Sequence, residues 1–553
     1  MLRGITVAPI VVVVLLGSLF SSLAATAQGQ TDGQAHVLRM NWGPDMPETL
    51  DPQHSDLGQW SMSGGLDYEG LTRIDEELQP IPGAAETWEF SPDGTVVTFH
   101  LRPGLVFSDG VPVTAEHFRY AAERVCGAEL NSRSRGEFAD LIGCDELFNA
   151  GDDAATVAAA KADFGVRVLD DGTLEYRFTR PAPYFPALAA NWGTIPLRKE
   201  LIEAGGPDWW ANPATRIGNG PFRLVAYEVD GSDKRVVYAR NDAYWGGGTK
   251  LDAIEFFFID NGDPEIEAYR RGELDVIWPR TSMIPTLETD PELSRDLVPL
   301  SIAGTVYFKF NLTREPFQDP KMREAFAYAF DRGAYCQQRY GLCTPTLSMV
   351  PPGVPGALET DAFAFDPERA RRALAESSYG APERVPEITW YYEEGSEADL
   401  RNAQWYFEQY RQVLGLELKL VPIDWEALEA LYDDPATSPQ FHWSVWWGGA
   451  DLRSWFVIWR CTSPYGGEGF CNPALDALLD RADAELDPET SVALYEEAGR
   501  MLVADAPAIF AHTDYSTVLV KPTVIGYSRT APYLNGNWPG CMNLMTVDVV
   551  PSE

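Results

Sequence analysis

The sequence predicts a mixed α/β protein built of more than one lobe. Three observations carry this. The chain has 553 residues, and single cores stop growing near ~250–300 residues. Period-two apolar alternation recurs beside tight-turn residues, the pattern of antiparallel hairpins. Between the hairpins lie stretches with apolar residues at helical spacing, not a regular strand–helix–strand array.

The elements follow in order. Val37-Leu38-Arg39-Met40-Asn41-Trp42 alternates like a strand. Thr49-Leu50-Asp51-Pro52 comes next, with Pro52 holding the residue before it extended or in a turn. Tyr68-Glu69-Gly70-Leu71 follows at the end of a helix. Ser91-Pro92-Asp93-Gly94 is a tight turn, and the strand after it puts Val97, Phe99 and Leu101 on one face. Asp109-Gly110 turns the chain again. Thr114 then reads as an N-cap, with Val113 and Phe118 spaced as a hydrophobic staple. Phe118, Ala121, Ala122 and Val125 share a helical face. Asp171-Gly172 marks a second hairpin.

Gly218-Asn219-Gly220-Pro221-Phe222 is a turn entering a strand. It lacks the Lys-Ser/Thr of a phosphate loop. Asn241–Gly246 is a loop, and Tyr307–Asn311 a strand. Met322, Ala325, Phe326 and Ala329 mark one amphipathic helix. Val492, Tyr495, Ala498 and Leu502 mark another, stopped by Pro507.

Composition sets the compartment and excludes partners. The net charge of −39 repels nucleic acid and anionic lipid. Arg3, the apolar run Ile10–Leu16 and Ala25-Thr26-Ala27 read as a secretory signal peptide cut after Ala27. Left uncut, Ile5–Ala25 is nearly long enough to anchor the chain in a bilayer. Residues 28–36 read as a flexible start. Seven Cys in an exported chain imply disulfides. Three pairs are close in sequence, Cys126 with Cys144, Cys336 with Cys343, and Cys461 with Cys471, and Cys541 is left over. Short loops lose least entropy on closing, which favours these pairs. The six His residues are scattered, no Cys/His spacing resembles a zinc site, and no cofactor is expected.

The stretch Trp443–Trp459 is the candidate pocket. It holds five of the 17 Trp residues, and Asp451 follows Gly448-Gly449-Ala450. Aromatic walls, approachable backbone and one fixed charge suit a small amphipathic ligand. The competing reading is that these Trp residues fill a core.

The order of these landmarks resembles the extracellular solute-binding proteins that feed ABC importers of dipeptides, oligopeptides and nickel. The carrying residues are Thr49–Pro52, Tyr68–Leu71, Thr87-Trp88-Glu89-Phe90-Ser91-Pro92-Asp93-Gly94 and Phe107–Thr114. Gly218–Phe222, Asn241–Trp245, Arg323–Arg332, Asn472–Asp476 and Ala506-Pro507 continue the match.

The resemblance implies an α/β, two-lobe fold of the periplasmic-binding-protein type II kind, with an extra α+β domain inserted in the first lobe. The expected division is a signal peptide at 1–27, a first lobe at 37–77, 191–303 and 511–553, the extra domain at 78–190, and a second lobe at 304–510. The chain then crosses between lobes near 304–311 and 507–515.

In peptide-binding members a carboxylate matching Asp451 holds the ligand's α-ammonium. Backbone matching Trp447-Gly448-Gly449 pairs with the ligand as an added strand. Trp446 and Trp42 are expected at the ligand, and Asp56-Leu57-Gly58 approaches from the first lobe, giving Asp56 and Gly58 as candidates. After Asp451 this chain departs from the family's Tyr/Pro-Asp-Pro pattern with Leu452-Arg453-Ser454-Trp455. Arg453 is a candidate for a ligand carboxylate, or else faces solvent.

The function implied is capture of peptides by a monomer, without chemistry, and delivery to a membrane permease. Sugar stacking on the Trp residues makes oligosaccharide the alternative ligand. Nickel ranks behind both, because His442 is the lone imidazole of the stretch. A secreted glycosidase is the reading from another class, but no Gly-x-Ser-x-Gly or His-Glu-x-x-His signature supports an enzyme.

Overall fold

A computed structural model describes residues 35–54, 65–75, 77–130, 132–151, 153–229, 234–301, 304–432, 436–463, 468–527 and 544–550. The signal peptide with its cut after Ala27, nearly all of 28–36, Asp56, Gly58 and Cys541 fall outside the described residues.

Short-range signals fold as their chemistry dictates. Gly94 closes the turn at φ 69°, and its N–H donates to the Ser91 carbonyl at 2.8 Å. The strand Val96–Leu101 buries Val97, Phe99 and Leu101. It lies between Ala85–Phe90 and Thr173–Arg177 in a four-stranded antiparallel sheet that Val166–Asp170 completes. Thr114 caps the helix Ala115–Cys126, and its N–H donates to His117 Nδ1 at 3.0 Å. The helix lays Phe118, Ala122 and Val125 on this sheet, and Val113 joins the same cluster. The three Cys pairs close in sequence are all bonded, Cys126–Cys144, Cys336–Cys343 and Cys461–Cys471.

The family landmarks early in the chain meet in space. Arg216 and Asp67 form a fully buried ion pair, and Arg216 also donates to the Leu50 carbonyl. Asn219 accepts from the Glu69 N–H at 2.9 Å and donates to the Glu69 carbonyl at 3.0 Å. Glycine is required here, because a Cβ on Gly218 or Gly220 would come within 1.7 or 2.6 Å of the Asp67 main chain. Asp51, of the Leu-Asp-Pro segment, accepts from Arg124 and from Trp209 Nε1 at 3.2 Å. These motifs lock loops to one another, since a buried charge must be paired and bonded.

Among the described residues the largest sheet has ten strands. Its main order is Phe441–Trp446, Thr305–Phe310, Ala508–Val520, Val276–Ile277, Val37–Asn41, Ala253–Phe257, Arg235–Arg240, Phe222–Glu228. Leu297–Ser301 and Cys343–Pro345 also pair with Ala508–Val520. That 13-residue strand is shared by both halves. Its residues 508–512 pair with Thr305–Phe310, and 515–520 with the strands of the other half. Separate cores flank the two halves, one around Leu38, Phe222 and Ile254, the other around Phe308, Phe326 and Phe441. The result is the mixed α/β architecture expected, with the four-stranded sheet on its own core.

Candidate functional site

The ten-stranded sheet ends at Phe441–Trp446. This strand runs antiparallel to Thr305–Phe310, with Trp443 opposite Phe308 and Trp446 opposite Thr305. Phe441 anchors it by stacking on Phe310 at 5.2 Å. A second strand, Ile388–Glu393, lies alongside but pairs with Leu418–Ile423 instead. Gln440 ties the two together, accepting from the Thr389 N–H at 3.1 Å and donating to the Glu387 carbonyl at 3.0 Å.

Beyond that tie a cavity of about 830 Å³ opens along the end strand, lined by Trp443, Ser444, Val445 and Trp446. Trp390, Tyr391 and Tyr392 of the second strand face it. Two helices close the sides. Glu397–Leu414 contributes Asp399, Asn402 and Tyr406, and Trp425–Tyr432 contributes Trp425, Leu428 and Tyr432. Each trio is spaced i, i+3, i+7, so each lies on one helical face.

The cavity's cations are matched internally. Glu468 receives the Lys309 ammonium at 2.5 Å and His442 Nε2 at 2.7 Å, and Ser438 Oγ donates to it at 2.8 Å. Burial pushes the Glu468 carboxyl up, but His442 and Lys309 outweigh burial and hold it at about 2. Arg339 pairs with Asp514 at 2.9 Å, and His512 lies 3.1 Å from the same carboxylate. Burial opposes ionisation of Asp514, yet these two neighbours keep it below the usual aspartate value.

The Trp stretch divides. Trp455 and Trp459 are buried core, as the competing reading requires. Trp443 and Trp446 line the cavity. Trp447 is exposed, its indole lying where a Cβ on Gly304 would sit, 2.4 Å away. Gly448 passes over the Trp455 ring, where a Cβ would come within 2.1 Å. Gly449 is held from both sides. Its N–H donates to Ser454 Oγ at 2.6 Å, and its carbonyl accepts from Trp455 Nε1 at 3.1 Å.

Asp451 accepts from the Ser454 N–H at 2.9 Å. Burial raises its pKa, against the Ser454 N–H and Arg453. Glu137, from the segment between Cys126 and Cys144, faces it. Burial and the Asp451 charge push the Glu137 carboxyl up to about 8. Arg453 is turned inward, bonded to Asp140 at 3.1 Å and 3.5 Å from Asp483, so it is not a solvent-facing side chain.

Trp42 lies in the other half, half-buried against its core and edge-on to Phe256 at 5.9 Å. The structure therefore brings Trp446 to the cavity, sets Gly448, Gly449 and Asp451 on the loop just beyond it, and starts a short helix at Arg453. Sequence reasoning missed Asp399, Trp425 and Tyr432, which carry no family motif. Their helical spacing was the available signal.

Comparison with known proteins agrees with this architecture. The family model for bacterial extracellular solute-binding proteins, family 5 Middle, matches residues 79–468, more than half of the chain. The probable deoxycholate-binding periplasmic protein YgiS of Escherichia coli (strain K12) is 30% identical over 513 residues, covering 90% of this chain and 91% of that one. The periplasmic oligopeptide-binding protein OppA of Salmonella typhimurium is 27% identical over 548 residues, covering 97% and 98%. Among solved structures, the Escherichia coli murein tripeptide binding protein MppA superposes with a TM-score of 0.74 at 24% identity, covering 94% of this chain and 99% of that one. The chain belongs to the bacterial extracellular solute-binding proteins of family 5.

Proposed function

We propose that this protein binds peptides reversibly, performs no chemistry on them, and delivers them to the membrane permease of an ABC importer. The observation that carries this is a sheet ending at Phe441–Trp446 beside a cavity of about 830 Å³. A sheet edge accepts an extended peptide as one more strand, and aromatic walls take its side chains. The relatives OppA and MppA are named for oligopeptide and murein-peptide binding, which supports the same reading.

In this reading Asp451 holds the ligand's α-ammonium, with Trp446, Trp447 and the Gly448-Gly449 turn forming the wall beside it. Burial that disfavours the Asp451 charge is relieved when an ammonium arrives. Asp56, Gly58 and Trp42 approach from the first lobe. The division at 37–77, 78–190, 191–303, 304–510 and 511–553 makes Thr305–Phe310 and Ala508–Val520 the lobe crossings, and closure about them buries the ligand. The protein acts as an exported monomer, its signal peptide removed after Ala27.

The name of YgiS gives a competing ligand, a bile acid, and the aromatic wall gives another, an oligosaccharide. Calorimetry of the purified protein against mixed di- to pentapeptides, deoxycholate and a maltooligosaccharide tests the reading. Saturable binding of peptides supports it. Binding of deoxycholate or sugar with no peptide binding overturns it.

A further inference from the structure

We propose that the cavity beside Phe441–Trp446 is selective for a cationic group, a guanidinium or ammonium, carried by the bound solute. The proposal rests on the reading of this cavity as the ligand site and adds the chemical class that it takes.

Seven acidic or basic side chains, counting His442, line the cavity. Lys309 and His442 are met by Glu468, and Arg339 by Asp514. Two acids remain. Among the described residues, no ion pair or side-chain hydrogen bond reaches the carboxylates of Glu393 and Asp399. Asp399 is half-buried in the first turn of Glu397–Leu414, and Glu393 ends the strand Ile388–Glu393. The cavity thus carries excess negative charge, set in a wall that also holds Asn402 as a neutral donor and acceptor.

The aromatic lining points the same way. Trp425 is 49% exposed, Trp443 43% and Tyr432 37%, among the most exposed large apolar residues described. A folded chain leaves such area open at binding surfaces, and here three of these rings converge on one cavity. Aromatic faces attract cations, most strongly guanidinium and alkylammonium groups with apolar stems to cover. A neutral apolar ligand would use the rings but leave the two carboxylates unanswered. An anionic ligand would meet their repulsion. A cation on a short aliphatic stem satisfies both.

The test uses the full mature chain and calorimetry. The probes are a tetra-alanine peptide, the same peptide with arginine or citrulline at each position in turn, and agmatine, a guanidinium without a peptide backbone. Citrulline keeps the shape of arginine and removes the charge. We expect arginine at one position to bind about tenfold or more tighter than citrulline there. In Asp399→Asn with Glu393→Gln that advantage should shrink to about twofold, each affinity being taken relative to the tetra-alanine affinity of the same variant. Trp425→Ala should also reduce it. Its exposed ring lets the variant fold, and an unchanged melting temperature checks this. Equal binding of arginine and citrulline peptides overturns the proposal and leaves the peptide reading standing. Agmatine binding that Asp399→Asn weakens, with no peptide bound, supports the cation site and overturns the peptide reading. No binding of agmatine or of any peptide overturns both.

Discussion

Arg453 and Asp140 are 313 positions apart in the chain, yet the guanidinium Nη2 donates to the carboxylate at 3.1 Å. The guanidinium also lies over the Tyr184 ring at 4.6 Å, and Tyr184 itself donates to Asp140 at 2.8 Å. Arg180 joins from the same side, at 2.9 Å from Asp140 and 3.1 Å from Asp483, and Arg460 reaches Asp483 at 2.8 Å. Three arginines and two largely buried acids therefore fasten the segment around residues 140–184 to the one around 453–483.

This pairing predicts a structural role for Arg453. Removing one guanidinium from this buried cluster leaves Asp140 and Asp483 with Arg180 and Arg460 but fewer charge partners. Arg453→Met should lower unfolding free energy by about 1–3 kcal/mol, measured by urea denaturation without ligand. The double variant with Asp140→Asn should lose less than the sum of the single losses. A loss of ligand affinity with unchanged stability would instead give Arg453 to the ligand.

Glu137 predicts a stability that falls as pH rises from mildly acidic toward 8. Its carboxyl is pushed from the ordinary glutamate range near ~4.3 up to about 8 by burial and by Asp451. An acid with a raised folded pKa contributes its stability below the unfolded pKa, and that contribution is lost as pH rises through the folded one. Melting temperature should therefore fall between about pH 5 and pH 8, and Glu137→Gln should flatten that fall. Parallel pH profiles for both proteins would contradict this.

Glu468 predicts the opposite sign. His442 and Lys309 hold it at about 2 despite burial. Its stabilising contribution is present above the ordinary glutamate value and is lost as pH falls toward 2. Lys309→Met should move acid unfolding to higher pH, followed by circular dichroism. A profile that coincides with the wild type would remove the pair from the stability account.

The Cys461–Cys471 bond closes a short loop beside the Trp stretch. On the chain-entropy model its loss costs about 2–3 kcal/mol. Replacing both residues by Ser should lower the denaturation midpoint accordingly, and peptide mapping of the exported protein should find neither thiol free.

The parts of the fold legible in the sequence were those written within a few residues. Thr114 with Val113 and Phe118, the Asp93-Gly94 turn and the face Phe118–Val125 needed only local chemistry. The family motifs were legible too, and the structure supplies their reason. Gly218 and Gly220 leave room for the Asp67 main chain, and Asp51 receives Arg124 and Trp209.

The cavity was not legible as a whole. Its end strand is set by pairing Phe441–Trp446 with Thr305–Phe310, more than a hundred residues apart, and its far wall by two helices without motif residues. The five Trp residues looked alike in sequence. Only the change from strand to helix after Trp446 decides that Trp443 lines the cavity while Trp455 and Trp459 enter the core. The candidate loop follows directly on the strand that lines the cavity, but the bonds that occupy Gly449 depend on Ser454 and Trp455 side-chain positions that spacing does not encode.

The most direct test of the account is calorimetry of wild type and Asp451→Asn, each titrated with one peptide bearing a free amino terminus and with its N-acetylated form. If Asp451 holds the ligand's ammonium, wild type should bind the free peptide more tightly by about 2–5 kcal/mol, and Asp451→Asn should lose about that much for the free peptide alone. Equal binding of both peptides by both proteins would contradict ammonium capture at Asp451.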